Sequence, residues 1–156
     1  MKNMTLAHIT EVCGGIYFGP EEKKTAEVTD IVTDSRKEGE GSLFVAIPGE
    51  RVDGHKFIPN VASQGALAVI SEQKLETPPC PYILVKDSME AIKAMAEYYM
   101  QQLNIPVVGI TGSVGKTSTK ETIASVLAQK YRVLKTDANF NNELGLSLTV
   151  FRLREE

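Results

Sequence analysis

The feature that most constrains the fold is the run VVGITGSVGKTST at residues 107–119. A short apolar segment leads into a glycine-containing loop, and Gly-Lys-Thr begins a predicted helix. Gly112 and Gly115 allow backbone N–H groups to approach a ligand closely, and the first turn of a helix offers unpaired N–H donors to an anion. We therefore interpret the run as a phosphate-binding loop.

Lys116 and Thr117 support this interpretation. A lysine at the start of a helix faces the positive end of the helix dipole, which costs roughly 0.3–1 kcal/mol until an anion binds. The hydroxyl of Thr117 can join the ligand shell of a magnesium ion. The loop departs from G-x-x-x-x-G-K-[ST] because Ile110 stands in place of the first glycine. The alternative is a glycine turn before an ordinary helix.

Composition limits the class of protein. The 156 residues are 42% hydrophobic, which is enough to bury a core in one or two domains. The formal net charge is -3 and the charges are mixed, so we expect no nucleic-acid partner. No apolar run approaches the roughly 18 residues of a membrane-spanning helix, and we expect a soluble, cytoplasmic protein. Cys13 and Cys80 lack metal-ligand spacing and are expected to be buried, free thiols.

Up to residue 103, short apolar runs alternate with helical patterns. Thr5 and Ser88 are predicted helix caps; the first helix ends at Gly14-Gly15 and the second runs to about Leu103. Strands are predicted at 16–18, 28–33, 43–47, 66–70 and 82–85. A further helix follows Asp53-Gly54-His55 and carries Phe57, Ile58, Val61 and Ala62 at inward spacing.

The pattern restarts at Asn104-Ile105-Pro106, and we place a domain boundary there, between domains 1–103 and 104–156. The second unit is predicted as a strand, the phosphate loop, a helix over 116–130, a strand over 132–136 and a final segment from Leu144. This order is the opening βαβ of a parallel sheet. About fifty residues are too few for a complete nucleotide-binding domain, so we expect the amino-terminal part of a longer protein.

Three polar motifs are candidates for chemistry, and each has a simpler interpretation. Asp34-Ser35-Arg36 follows a strand, where Arg36 could bind a phosphate or carboxylate with two N–H groups; the alternative is a capped turn with a surface ion pair. Asp53-Gly54-His55 is interpreted first as a turn, and His55, like His8, as a surface or capping residue without a partner in sequence. The amide-rich stretch 139–143 is interpreted by default as a plain loop.

Taken together, these segments resemble the Mur ligases, the ATP-dependent peptide ligases of peptidoglycan precursor synthesis. The resemblance covers nearly the whole chain. The segments that carry it are Asp34-Ser35-Arg36, Gly41 to Gly49, Asp53 to Phe57, Gly65-Ala66, Thr111 to Thr117, and Asn139 to Leu146 with Leu148-Thr149. The stretch from Asn139 is similar to the branch of the family that adds a dipeptide.

The resemblance implies α/β architecture: a small amino-terminal domain that holds the UDP end of the precursor, then the truncated start of a P-loop (Rossmann-like, parallel-sheet) ATPase domain. It implies roles for several groups of residues. Those expected to bind substrate are Asp34, Ser35, Arg36, Phe44 and Asp53. Those expected to bind ATP are Gly112, Ser113, Val114, Gly115, Lys116, Thr117 and Ser118, with Asn139, Asn141 and Asn142 near the nucleotide or peptide. Lys116 is the catalytic candidate, at the β- and γ-phosphates, and Thr117 the Mg²⁺ ligand.

Two positions depart from the family pattern. Val114 stands where the family usually has Asn, which tolerates positive φ better than a β-branched residue. Its backbone N–H can still serve, so only the side-chain contribution of an Asn is absent. Ser147 replaces a usual proline, which affects how the last segment starts.

The implied reaction joins D-alanyl-D-alanine to UDP-N-acetylmuramoyl-tripeptide and uses ATP and Mg²⁺. The enzyme is expected to be a monomer. The isolated chain is expected to be inactive. The alternatives are the sister activity that adds the third amino acid to the dipeptide precursor, a non-catalytic module that binds the UDP substrate, and another P-loop class such as a small-molecule kinase.

Overall fold

The computed structural model describes residues 1–37, 39–137 and 142–154. A five-stranded sheet is formed by β1 (Ile16–Phe18), β2 (Ile31–Val32), β3 (Leu43–Val45), β4 (Ala68–Ser71) and β5 (Tyr82–Leu84). The helices are α1 (Leu6–Val12), α2 (Ile58–Ser63), α3 (Ser88–Gln102), α4 (Lys116–Leu127) and α5 (Glu143–Phe151). Short 3₁₀ turns occupy Glu21–Thr25, Ser35–Lys37 and Gly54–Phe57.

The strand order is β1-β5-β4-β3-β2, and the predicted mixed α/β class is confirmed. Strands β2 to β5 are parallel to one another, whereas β1, the outermost strand beside β5, is antiparallel to it. The carboxyl ends of the four parallel strands therefore lie at one edge of the sheet. In open α/β sheets this edge is where ligands bind.

The sheet is buried on both faces. In β3, Leu43 and Val45 contribute to one apolar cluster and Phe44 to the other. The first cluster includes residues of α1 and α3, and the second includes Ile58 and Val61 of α2. Parallel strands covered in this way carry apolar residues at successive positions, which explains the nearly continuous apolar runs in the sequence.

The predicted burial of α3 is confirmed, but its predicted cap is wrong by one residue. Asp87 has extended backbone and caps the helix, because its side chain accepts a hydrogen bond from the N–H of Glu90 at 3.0 Å. Ser88 is the first helical residue, and its buried hydroxyl donates to the carbonyl of Ala46 at 2.7 Å. A carboxylate also interacts favourably with the positive end of the helix dipole. The cap predicted at Thr5 is confirmed.

The two strands predicted in the second unit are absent, although both segments fall within described residues. Positions 107–110 and 132–136 have no strand, and Val107 and Val108 are 64% and 58% exposed. A parallel strand needs hydrogen-bonded neighbours and helices over its faces, and neither segment has them here. The predicted helix forms but ends at Leu127, and none of its residues is buried.

Helix α5 packs against the first unit, mainly on α3. Phe151 belongs to the larger apolar cluster, and the hydroxyl of Tyr99 donates to the carbonyl of Leu153 at 2.8 Å. Cys13 and Cys80 form no disulfide, as expected, but they are half-buried rather than buried. Among the described residues, no helix is long and apolar enough to cross a membrane.

We expect Phe151→Ala to lower the free energy of unfolding by about 3–5 kcal/mol, because it removes a buried ring and leaves a cavity. Phe151 is 1% exposed, whereas Leu146 in the same helix is 52% exposed. Leu146→Ala is therefore the control and should change stability by less than about 0.5 kcal/mol. Urea unfolding followed by circular dichroism measures both. Equal, small effects would contradict the packing of α5 on the core.

Candidate functional site

Asp34 and Arg36 form a bidentate ion pair just beyond the carboxyl end of β2. One carboxylate oxygen of Asp34 accepts from the backbone N–H and the Nε–H of Arg36, at 3.0 and 2.9 Å, and the other accepts from Nη2 at 2.8 Å. These hydrogen bonds lower the pKa of Asp34 to about 2. The Arg36 side chain is 87% exposed. The pair stabilises little, but it fixes the guanidinium in an orientation open to an anionic ligand.

The other predicted substrate residues have different surroundings. Ser35 begins the 3₁₀ turn and is half-buried. Phe44 is fully buried in the cluster that includes Val61 and Tyr82, so its side chain presents no surface to a ligand in this structure. Its predicted substrate contact therefore depends on the backbone. The roles of these residues stay predictions.

Asp53 is paired with His55, which corrects the expectation that His55 has no partner. Oδ1 of Asp53 accepts from the backbone N–H of His55 at 3.0 Å and lies 2.6 Å from its Nδ1. These two hydrogen bonds, the backbone one first, lower the pKa of Asp53. Nε2 of His55 accepts from the N–H of Glu72 at 3.0 Å. The Asp-x-His spacing was a usable signal for the first contact, because an Asx turn brings residue i+2 to the carboxylate. The contact with Glu72, 17 residues away, had none.

The phosphate loop has the backbone geometry that its glycines indicate. Gly115 has φ 79° and caps α4, and Gly112 has φ 150°. The Nζ of Lys116 donates back to the carbonyl of Gly112. Val114 is 91% exposed and does not have positive φ, since Asn3 is the non-glycine residue with positive φ in the described chain. The departure at Val114 therefore strains nothing.

The start of α4 fits a polyphosphate. Ser113, Thr117 and Ser118 are exposed around its first turn, whose N–H groups face no acidic side chain in that turn. A Cβ added at Gly115 would meet open space, so the loop is not covered by other residues at this position. Within the described ranges no cluster of three or more acidic, His or Cys side chains could hold a metal ion. Thr117 supplies one oxygen, and its magnesium role stays a prediction.

The amide-rich stretch is only partly visible. Asn139 and Asn141 lie outside the described residues. The side chain of Asn142 caps α5 by accepting from the N–H of Gly145 at 2.8 Å. This helix cap accounts for Asn142 without a ligand, and its predicted nucleotide contact stays untested.

We expect a carboxyl carbon NMR titration of Asp34 to have its midpoint at about pH 2. In Arg36→Gln the midpoint should rise towards the ordinary value of about 3.9, since the two side-chain hydrogen bonds that favour the carboxylate are lost and only the backbone one remains. Because the folded-state pKa is depressed, the pair stabilises the fold above about pH 4, and this contribution disappears as the pH falls towards about 2. Lys37→Gln, which removes a neighbouring charge, should move the midpoint far less. A normal midpoint in the unaltered chain would contradict the pair.

Comparisons with known proteins bear on the whole chain. Residues 27–117 match the profile "Mur ligase family, catalytic domain", and residues 110–156 match "Mur ligase middle domain". The chain is 40% identical over 157 aligned positions to the UDP-N-acetylmuramoyl-tripeptide–D-alanyl-D-alanine ligase of Bacillus subtilis, covering 99% of this chain and 34% of the relative. It thus spans about a third of the length of the curated relatives it matches.

Solved structures agree with these matches. A crystal structure of MurF from Acinetobacter baumannii superposes with a TM-score of 0.86 at 31% identity, covering 97% of this chain and 33% of that one. MurF ligase from Thermotoga maritima, solved in complex with ADP, gives a TM-score of 0.70 at 38% identity, over 78% of this chain and 28% of that one. The Mur ligase profile covers more than half of the residues. The chain belongs to the Mur ligase family.

Proposed function

We propose that this chain is part of an ATP-dependent ligase that joins D-alanyl-D-alanine to UDP-N-acetylmuramoyl-tripeptide. The observation that carries the proposal is the similarity, over 99% of the chain, to a ligase of that name. The geometry is compatible with it, because one edge of the sheet presents the Arg36 guanidinium and the other unit presents an uncovered phosphate loop. Both substrates of the first step are anionic, and both sites offer donors.

The first site suits the nucleotide-sugar end of the precursor. Asp34 holds Arg36 so that Nη1, which has no partner among the described residues, remains for a phosphate oxygen. Ser35 contributes a hydroxyl in the same turn. We propose that residues 1–103 bind this end, since the sheet and most of the buried apolar residues lie there.

The second site suits the phosphates of ATP, and residues 104–156 are proposed to begin the ATPase domain. Phosphoryl transfer from ATP to the terminal carboxylate of the tripeptide gives an acyl phosphate, which the amine of D-alanyl-D-alanine attacks with loss of phosphate. The backbone N–H groups of the loop and Lys116 would neutralise charge on the transferring group, which is the main demand of this chemistry. Thr117 would supply one oxygen ligand to a Mg²⁺ ion, whose positive charge would offset the charge of the phosphates. Among the described residues, no group of three or more His, Cys, Asp or Glu side chains could complete the ligand shell of such an ion.

Two further features are part of the proposal. The groups assigned above belong to one chain, so we propose that a monomer acts. Location in the cytoplasm follows from the substrates, since ATP and the UDP-linked precursor are cytoplasmic.

We expect calorimetric titration of this chain to show binding of UDP-N-acetylmuramoyl-tripeptide that Arg36→Ala weakens about 10- to 100-fold, as for loss of a charge-assisted hydrogen bond. Lys37→Ala is the matched control, because it removes a positive charge from the same turn but keeps the guanidinium group of Arg36. The dipeptide precursor is the second comparator. Preference for it would favour the sister activity, and no binding of either would contradict the assignment of residues 1–103.

We expect Gly115→Ala to weaken binding of ADP about five- to thirtyfold, because an L-residue at φ 79° costs about 1–2 kcal/mol. Gly109→Ala is the control: its added Cβ also meets open space, but its φ is not positive. Calorimetry with ADP measures both variants. If the two variants bind alike, the conformation of the loop does not depend on Gly115 and the proposed nucleotide site fails.

A further inference from the structure

The imidazole of His55 is an enclosed titratable side chain near the carboxyl edge of the sheet. Its side chain is 6% exposed, and both ring nitrogens have partners. A backbone N–H can only donate, so Nε2, which faces the N–H of Glu72, carries no proton. The proton must then lie on Nδ1, which donates to the carboxylate of Asp53. The ring is thus neutral, in the Nδ1–H tautomer.

This imidazole belongs to a set of hydrogen bonds that joins the ends of three neighbouring parallel strands. Asp53 and His55 follow β3, and Glu72 directly follows β4. The side chain of Glu72 accepts from the N–H of Ser88, after β5, at 2.7 Å. The hydroxyl of Ser88 returns to β3 by donating to the carbonyl of Ala46 at 2.7 Å.

The loop after β3 is held close to the strand that it leaves. The N–H of Gly54 donates to the carbonyl of Ile47 at 2.9 Å, and a Cβ at Gly54 would lie 2.8 Å from the nitrogen of Ile47. Asp53 is therefore returned to the carboxyl end of β3, the strand that pairs with β2. Oδ1 of Asp53 receives both contacts from His55, whereas Oδ2 has none among the described residues. With its side chain 34% exposed, Asp53 has one oxygen available to a ligand.

We propose that His55 is a positioning residue, which in its Nδ1–H form fixes the carboxylate of Asp53 so that Oδ2 accepts a hydroxyl or N–H of the nucleotide-sugar substrate. The substrate part of this inference rests on the proposed function of residues 1–103. His55 itself does not touch the ligand. Its effect passes through Asp53.

The tautomer can be measured without a ligand. The chain has two histidines, so proton–nitrogen correlation spectra of the imidazole rings contain two sets of signals. Those of exposed His8 are assigned by their loss in His8→Asn. At neutral pH we expect the other ring to have a protonated Nδ1 and an unprotonated Nε2. An Nε2–H tautomer or an imidazolium would overturn the inference.

Two variants of His55 separate its two contacts. The amide of Asn matches the position of Nδ1 and can still donate to Asp53, whereas the amide oxygen of Gln reaches the position of Nε2 and can still accept from Glu72. Each variant loses one hydrogen bond, so both should lose stability to a similar extent. If His55 acts through Asp53, His55→Gln should bind UDP-N-acetylmuramoyl-tripeptide about tenfold more weakly, and His55→Asn should bind like the unaltered chain.

The outcomes distinguish the inference from the proposed function. Thermal unfolding first shows that both variants are folded, and His8→Gln serves as the control for replacing an exposed histidine. Equal affinities in the two His55 variants would overturn the positioning role, since a merely structural role would not favour Asn over Gln. No binding by the unaltered chain would overturn the proposed function and the substrate assignment with it, whereas the tautomer measurement would still decide the geometry.

Discussion

The described fold depends on covering both faces of four parallel strands. Parallel strands need crossovers long enough to carry helices, and those helices supply the cover that the apolar strands require. Here α1 and α3 lie on one face and α2 on the other, and β3 contributes residues to both clusters. The same topology places the residues after β2, β3, β4 and β5 at one edge. The candidate substrate site is therefore a consequence of how the strands are buried.

The cationic side chains of the two candidate anion sites have different hydrogen-bond partners. Arg36 is held by Asp34 before any ligand arrives, so its ordering is already complete and a ligand meets a fixed fork. Lys116 has no carboxylate partner in the described structure and contacts only the carbonyl of Gly112. Its charge, at the positive end of a helix dipole, is offset only by an anion. The first site therefore holds its cation in a fixed orientation before a ligand binds, whereas the cation of the second site has no counter-charge until an anion binds.

Local features were predictable from the sequence and long-range ones were not. The cap at Thr5, the buried stripe of α3 and the positive φ of Gly115 depend on residues within one or two turns, and the patterns identified them. Asp87 displaced Ser88 as a cap because Ser88 bonds to Ala46, 42 residues away. The contact of His55 with Glu72 was likewise not predictable, because the two residues are 17 positions apart in sequence. The site thus has predictable parts whose arrangement is set by the sheet.

The second unit also combines features that are encoded locally with features that depend on distant residues. Its strands were predicted from apolar content, yet 107–110 and 132–136 remain without strand pairing because a strand is defined by its neighbour. Its loop and helix cap need no neighbour: Gly115 adopts its left-handed conformation and α4 begins at Lys116, although no residue of that helix is buried. The geometry of the candidate phosphate loop is therefore encoded locally, in the loop itself. A nucleotide that binds there would meet donors set by two glycines rather than by the sheet.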